Sequence, residues 1–419
     1  ESMGMSGKLI FALDVGSSKI VSLVGSLGER VAILGISSYY FVNSKRNNDF
    51  TMMSNGLICD IERTGQKIAQ TLHEAQINAD CSTGSLITNI AGNHLRSLNS
   101  QSLQEMGSLP VNAEIIRLLV EDAKRVDIPN SYDIIDYEVQ EYLVDGEHLT
   151  LNPLELSCKT VESNVNLFLS GKIPLANLKK SIRYSSFEVA KIVPAPILSA
   201  LAVLNDDEKE LGCCLIDIGA GTTDVVVYQA GFVRYMVSIP IGGEDITRDI
   251  ASVLKVARNL AEDLKLTHGS CNYHAVKSTN EGINLIDHRG ESVLISRKLL
   301  NDVISERMKD ILQIVKTQLD NNQLYDIIDS GLVITGGGAL LTNLKEFASK
   351  FFDIKVSIGV PRYEGEFADI VCNPKFSTAI GALYFANEFM LYNKYADEFK
   401  FVAEHNSTLS KIKNFFKNM

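Results

Sequence analysis

An apolar, β-rich run that ends in aspartate and breaks at a turn of small residues occurs twice in this chain, as ALDVGSSKIV around Asp14 and LIDIGAGTTDVVV around Asp217. In each case a second β-rich run follows the turn, so a hairpin with a tight tip is expected at both places. The first tip is Gly16, Ser17 and Ser18, with Lys19 next; the second is Gly219, Ala220, Gly221, Thr222 and Thr223. Glycine lets backbone amides approach an anion closely, and the Ser and Thr hydroxyls add donors. Gly16, Ser17, Ser18, Lys19, Gly219, Gly221, Thr222 and Thr223 are therefore the expected contacts to nucleotide phosphates. A lone Asp beside each tip would repel phosphate. It becomes compatible next to a hydrated Mg2+, whose preferred ligands are carboxylates, water and phosphate oxygens. Asp14 and Asp217 are the expected metal-side residues, acting through water.

A third element has related chemistry. The apolar strand GLVIT (331–335) runs into Gly336, Gly337 and Gly338, followed by a helix built on Leu341, Leu344, Phe347 and Phe351. A strand, glycine turn and helix start let a flat ring or a phosphate lie against bare backbone. Each piece alone also has an ordinary reading as an αL turn or a surface loop. All three in this order, each at a strand end, favour a nucleotide clamp.

That order resembles the actin superfamily of ATPases, with its phosphate-1, phosphate-2 and adenosine loops. The superfamily implies an α/β, two-lobed fold with duplicated ribonuclease-H-like cores. It also implies a helix between the phosphate loops, here IVPAPILSALAVL (192–204), and a closing helix, here STAIGALYFAN (377–387), in which Gly381 and Ala382 would permit a close crossing. Within the superfamily the chain is most similar to the FtsA family of bacterial division proteins. NGLICDIERTGQKI (55–68), ELGCCLIDIGAGTTDVVVY (210–228), ARNLAEDLKLTHG (257–269) and a short amphipathic C-terminus carry this likeness over nearly the whole length.

The resemblance implies ATP and Mg2+ as ligands. Gly243, Glu262 and Lys265 would join Gly336, Gly337 and Gly338 on the adenosine side. Glu262 and Lys265 also read as an exposed i,i+3 pair on a helix. By the same resemblance, residues 8–82, 167–198 and 370–391 form subdomain IA, 199–252 with 326–369 subdomain IIA, and 253–325 subdomain IIB. Residues 83–166 form an FtsA-type small subdomain insert that would contact neighbouring subunits and other division proteins. In that insert, SLITNIAG, YEVQEYLVDG and SNVNLFLSG read as strands around one helix, AEIIRLLVEDAKRV, buried through Ile115, Ile116, Leu119, Ala123 and Val126. Asn112 is its expected N-cap. The turn NPLELS (152–157) lacks the glycine usual in the family.

The long helix RKLLNDVISERMKDILQIVKTQL buries Leu300, Ile304, Met308, Ile311, Val315 and Leu319 by its period. Arg297 and Arg307 project differently. They are either solvated charges or, by resemblance, exposed partner-binding residues for the acidic C-terminal tail of FtsZ, the tubulin-like division protein. In actin and the heat-shock chaperones a Gln or Glu that orients water opens the helix between the phosphate loops. Ala195 followed by Pro196 stands there in this chain, and neither side chain holds a water. Asp224, across the phosphate-2 turn, is the remaining catalytic candidate, with a structural turn cap as its other reading. Tight nucleotide binding with slow or negligible turnover is expected.

The chain has 419 residues, 45% of them hydrophobic and 22% charged, enough to bury more than one core. A net charge of -11 without a basic stripe excludes general nucleic-acid binding. The chain shows no signal peptide and no apolar run long enough for a bilayer, so a cytosolic site is expected. Seven irregularly spaced cysteines predict reduced thiols. His268, Cys271 and His274 lack a fourth ligand and read as surface residues. Residues 1–7 read as flexible or added sequence, and 392–407 as a polar linker.

The last segment, 408–419, places Leu409, Ile412, Phe415 and Phe416 at helical spacing with Lys411, Lys413 and Lys417 flanking them. Two readings stay open: a helix docked on its own body, and an amphipathic helix lying on anionic lipid at the inner face of the membrane. A filament of copies at the division site would suit the second. A sugar- or acetate-type kinase shares the phosphate loops, but the chain offers no assignable catalytic acid for a small-substrate pocket.

Overall fold

Both expected hairpins form, and the rest of the molecule is arranged around them. The computed structural model describes residues 8–44, 48–271, 281–286 and 289–396. Residues 1–7, His274 and the tail residues Leu409, Lys411, Ile412, Lys413, Phe415, Phe416 and Lys417 lie outside the described residues, as does most of the expected linker. Strand β1 (Lys8–Val15) pairs antiparallel with β2 (Lys19–Leu27) up to Val15 opposite Ile20, and β2 pairs with β3 (Ala32–Tyr40). A two-stranded ribbon, β4 (Met53–Ser54) and β5 (Leu57–Ile58), leads into helix α1 (Ile61–Asn78), which Asp60 caps by accepting from the Arg63 amide. Strand β6 (Ser85–Ile90) follows.

The insert holds β7 (Arg96–Glu105), α2 (Ala113–Lys124), β8 (Tyr132–Val144), β9 (His148–Thr150) and β10 (Thr160–Gly171). The chain then returns through α3 (Lys172–Ile182), β11 (Glu188–Pro194) and α4 (Ala195–Val203). The second lobe begins with α5 (Asp206–Leu211), the hairpin of β12 (Cys213–Ile218) and β13 (Thr223–Gln229), then β14 (Phe232–Ile239) and α6 (Gly243–Leu254). Next come α7 (Arg258–His268), the ribbon of β15 (Gly282–Ile286) and β16 (Ser292–Ser296), and α8 (Arg297–Asn321). Strand β17 (Leu332–Thr335), α9 (Leu344–Phe352), β18 (Val356–Ile358), α10 (Ala368–Val371) and α11 (Ser377–Ala396) complete the described chain.

The duplication is visible in strand order. The first sheet runs β11-β6-β1-β2-β3, and the second begins β18-β17-β12-β13-β14. In both, three antiparallel strands are extended by two parallel ones beside the first strand of the hairpin. This is the expected pair of like cores in an α/β, two-lobed frame. Alternate residues of β12 serve two different cores: Cys213 and Leu215 face the first, Cys214, Ile216 and Ile218 the second. A strand buried on both faces has no polar alternation, which is why CCLIDI reads as a continuous apolar run.

The structure corrects the boundary of the insert. SLITNIAG was expected inside it, yet β6 lies centrally in the first sheet, parallel to β1, and the insert proper starts after it. Conversely, β7 escaped sequence reading because its solvent-exposed positions break up the apolar pattern. It pairs along its whole length with β10 and joins the insert to the second sheet at Val237 opposite Arg96. The insert has its own core, in which Ile116, Leu119 and Ala123 are fully buried and Ile115 and Val126 half-buried. Asn112 caps α2 by accepting from the Ile115 amide at 3.0 Å. In the glycine-free turn, Glu155 takes the left-handed conformation itself, at φ 65°, which costs a non-glycine residue of order 1 kcal/mol.

Cys271 was expected at the surface and is instead buried, with its amide bonded to the Thr342 carbonyl and its carbonyl accepting from Ser305 Oγ. Apolar neighbours in the second core explain this, as cysteine behaves there as a small hydrophobe. His268 is half-buried at the end of α7. All seven cysteines are free thiols. The α8 stripe from Leu300 to Leu319 is fully buried as its period implies. Among the described residues no helix is long and apolar enough to cross a membrane.

Helices α4 and α11 cross at Gly381, where a Cβ would sit 1.8 Å from the Leu198 carbonyl oxygen. No rotamer relieves a clash with backbone. Gly381→Ala should therefore lower the unfolding free energy by about 3 kcal/mol, measured by urea denaturation. A loss under about 0.5 kcal/mol, the range of surface substitutions, would mean the helices do not meet there.

Candidate nucleotide site

Each hairpin tip is closed by the same bond. The Gly16 amide donates to the Lys19 carbonyl at 2.9 Å, and the Gly219 amide to the Thr222 carbonyl at 2.9 Å. The tips touch across the lobes, since a Cβ on Gly221 would come within 2.4 Å of Ser17 Oγ. Asn55 and Gly56, both at positive φ, tie them together. Asn55 Nδ2 donates to the Gly221 and Pro240 carbonyls at 2.9 Å, and the Gly56 amide donates to Ser17 Oγ at 3.0 Å. The Ser18 carbonyl accepts from the Phe41 amide, and Thr223 Oγ1 donates to the Ile241 carbonyl.

Three buried carboxylates lie behind the tips: Asp14, Asp217 and Asp224. Asp14 receives Asn89 Nδ2 at 3.1 Å and pairs with Lys19 Nζ at 3.3 Å; the same ammonium donates to the Lys375 carbonyl at 2.8 Å. Asp217 receives Ser199 Oγ at 2.5 Å and Thr378 Oγ1 at 3.5 Å. Asp224 stands opposite Asp217 in the ladder and receives Ser238 Oγ at 2.5 Å. Burial chiefly raises Asp217 to about 6, with the Asp14 charge adding to it. Burial again, then the Asp217 charge, lifts Asp224 to about 8. Ala195 and Pro196 open α4, both buried, so the chain places no acid or amide at that helix start.

On the adenosine side, Gly336 has φ 83°, and a Cβ there would meet Asp217 Oδ1 at 2.2 Å. Only glycine brings the turn that close to the carboxylate. Gly337 follows, where a Cβ would sit in ordinary contact with Lys375 Cγ at 3.8 Å, and Gly338 lies over Ile218. Gly243 starts α6 and is docked on the phosphate-2 turn, its amide donating to the Gly219 carbonyl at 2.8 Å. Lys265 is not half of an exposed pair: it is buried and donates to the Gly243 carbonyl at 3.0 Å and Thr247 Oγ1 at 2.8 Å. Glu262 pairs with it at 2.8 Å and accepts from Thr247 Oγ1. Gly243, Glu262 and Lys265 thus form one polar cluster against the second tip.

Arg297 and Arg307 do not join this cluster, and neither is the free exposed cation expected. Arg307 is forked onto Asp249 of α6 at 2.6 and 3.1 Å, and Arg297 pairs with Glu281 at 3.2 Å. Sequence reading also missed Asn55, Asn89, Ser199, Ser238 and Thr378. Ser199 and Ser238 carried one signal, a lone polar residue inside an apolar run, as in ILSALAV, where an unpaired buried group would be costly; Asn55, Asn89 and Thr378 stand beside other polar residues and carried none.

An aspartate whose carboxyl is raised on folding binds more protons in the native state than unfolded, so its contribution to stability falls as pH rises between the two values. For Asp224 that window runs from about 4 to about 8. Asp224→Asn keeps the acceptor for Ser238 and removes the titration. Its melting temperature relative to the unsubstituted chain should rise from pH 6 and level off above about pH 8. A constant difference would show that Asp224 does not titrate in that range.

The family model described as "Cell division protein FtsA" matches residues 214–381, and that for the "SHS2 domain inserted in FTSA" matches 92–169. The cell division protein FtsA of Neisseria meningitidis serogroup B is 33% identical over 389 residues, covering 92% of this chain and 91% of that one. Its counterpart from Borreliella burgdorferi is 30% identical over 418 residues, covering 98% and 99%. Among solved structures, the PilM-PilN type IV pilus biogenesis complex aligns with TM-score 0.62 at 16% identity, over 90% of this chain and 98% of that one. MreB5 of Spiroplasma citri bound to ADP aligns with TM-score 0.56 at 17% identity, over 92% and 98%. A MamK double helical filament aligns with TM-score 0.51 at 13% identity, over 90% and 98%. At these identities the structures speak for the actin-like fold alone. Full-length sequence likeness is what places the chain, together with the inserted SHS2 domain: it belongs to the FtsA family of cell division proteins.

Proposed function

We propose that this chain binds ATP with Mg2+ between its two phosphate turns, forms filaments, and ties the FtsZ ring to the inner face of the cytoplasmic membrane at the division site, where it helps recruit later division proteins. The observation that carries the reading is the tip-to-tip meeting of two like hairpins, with the Gly336 turn pressed on Asp217. The MreB5 relative, which was solved with ADP, and the MamK filament support nucleotide and polymer in turn. The buried carboxylates suit the cation. Among the described residues no three His, Cys, Asp or Glu side chains are grouped to hold a metal directly, so Asp14 and Asp217 would hold Mg2+ through water. The bound cation would supply neutralisation of the phosphate charge. Ala195 and Pro196 leave hydrolysis without a water-orienting group in the usual place, and Asp224 alone remains near the phosphates, so turnover is slow and nucleotide acts as a switch.

The tail supports the membrane role. Attraction to anionic lipid contributes about 1 kcal/mol per lysine at Lys411, Lys413 and Lys417, against ordering costs of ~1 kcal/mol or more per residue. A single tail therefore binds marginally. Tails held side by side on one filament bind together, because each later contact is intramolecular. FtsZ, through its acidic C-terminal tail, remains the proposed partner of the second lobe. Arg297 and Arg307 would have to exchange Glu281 and Asp249 for it.

Calorimetry of the full chain with ATP and Mg2+ should register association, and Gly336→Val should abolish it. A chain ending at Asn406 should keep that heat and lose co-sedimentation with anionic vesicles. Absence of heat with any adenine nucleotide would end the nucleotide reading; pelleting of the shortened chain would end that of the tail.

A further inference from the structure

Arg258, at the first turn of α7, lies flat on the ring of Phe50, 3.3 Å from its centroid. Phe50 belongs to the first lobe and Arg258 to the second. The guanidinium is held in place by Glu244 of α6, which it grips with Nε at 2.6 Å and Nη2 at 2.5 Å. Beside it, Asn259 Nδ2 donates to the Asn43 carbonyl at 3.0 Å, again across the lobes.

Both halves of this contact lead back to the phosphate turns. The Glu244 amide donates to the Ala220 carbonyl of the second tip at 2.9 Å. Phe50 meets Phe41 edge-on at 5.9 Å, and the Phe41 amide donates to the Ser18 carbonyl of the first tip at 2.9 Å. Phe50 cannot easily swing away, because the adjacent, fully buried Asp49 accepts from Tyr39 Oη at 2.6 Å and the Val42 amide at 2.9 Å, and pairs with Arg63 at 3.2 Å. Arg258 is likewise fixed on a helix whose next turn presents Glu262 and Lys265 to the adenosine side. Away from the tip contacts made by Asn55 and Ser17, the lobes also meet at the stacked faces of Arg258 and Phe50, with the Asn259 bond beside them.

We propose that Phe50 and Arg258, with Glu244 holding the guanidinium and Asn43 and Asn259 beside it, form a latch between the lobes that sets how long a bound nucleotide stays. This rests on the nucleotide reading above. Arginine suits the task because its plane stacks on an aromatic face while its edge forks onto a carboxylate, two contacts that lysine cannot make together. Opening breaks the stack and leaves the Arg258–Glu244 pair intact, so no charge is stranded.

Release of N-methylanthraniloyl-ATP from the full chain with Mg2+, chased with excess ATP, tests it. Arg258→Ala and Phe50→Leu should each release the nucleotide about tenfold faster, the effect of losing a partly desolvated cation–π contact. Phe50→Tyr, which keeps the ring, should release at the original rate, and the double variant should be no faster than either single one. Single variants within about twofold of the unsubstituted chain, inside the range of an exposed and therefore weak contact, would overturn the latch. If the unsubstituted chain binds no adenine nucleotide, the nucleotide reading fails, and hydrogen exchange on the free chain judges the latch instead. Arg258→Ala should then speed amide exchange in residues 48–58; an unchanged pattern overturns it.

Discussion

The burial of Asp14, Asp217 and Asp224 behind the two tips, with a single ammonium, that of Lys19, paired to Asp14, is the constraint on which the rest of the structure depends. Burying a carboxylate is tolerable only when it is neutralised or richly hydrogen-bonded. Each carboxylate is met by its own neutral donor drawn from a different element: Asn89 from β6, Ser199 from α4 and Ser238 from β14. The donors hold the oxygens in place without cancelling the charge. Protons supply part of the balance at low pH, and a divalent cation with phosphate is the natural supplier under the proposed function. The site is thus kept electrostatically incomplete while its oxygens are held in place.

Duplication explains how a chain of this length assembles such a cluster. Each hairpin carries Asp as the second-last residue of its first strand and turns within a few residues, so the carboxylate always emerges beside the tip. When the two like sheets face each other, the tips and their acids meet without any further design. This much was legible in the sequence, because strand period and turn chemistry are local properties. So were the α8 stripe, the Asn112 cap and the need for a small residue at Gly381.

What stayed illegible depended on partners distant in sequence. Nothing local distinguishes β6 in the first sheet from β6 in the insert; only its parallel pairing with β1 decides, across the span between Phe11 and Leu86. The exposed faces of β7 hide a strand whose order comes from β10. Lys265 and Glu262 sit at a spacing that suits an exposed pair, and the Gly243 carbonyl that buries the lysine belongs to another helix. Arg307 carries an ordinary helix-surface signature, yet Asp249 takes its fork.

The insert leaves the chain between two strands of the first lobe but continues the sheet of the second, and its attachment there is polar. Val233 gives its amide to Glu138 at 2.9 Å, and its carbonyl accepts Gln140 Nε2 at 2.6 Å and Asn166 Nδ2 at 3.3 Å, while Arg234 forks onto Glu141 at 3.0 and 3.1 Å. Pulling these apart would strand buried donors and acceptors, which costs more than the bonds themselves contribute. The insert is therefore bound to the second lobe more firmly than its place in the chain suggests, and any bending falls on its entry and exit strands. His94 staples those two strands. Its Nδ1 accepts the Gly171 amide at 3.2 Å, so the ring proton sits on Nε2 and donates to the Ala91 carbonyl at 3.1 Å. Burial holds the imidazole below its ordinary range, which keeps it in the neutral form this arrangement requires. One residue along, the Gly92 amide donates to Ser238 Oγ at 3.0 Å, and that hydroxyl donates to Asp224. The pivot of the insert and the most perturbed carboxylate of the site thus share a single serine, so neither moves without changing the hydrogen bond of the other.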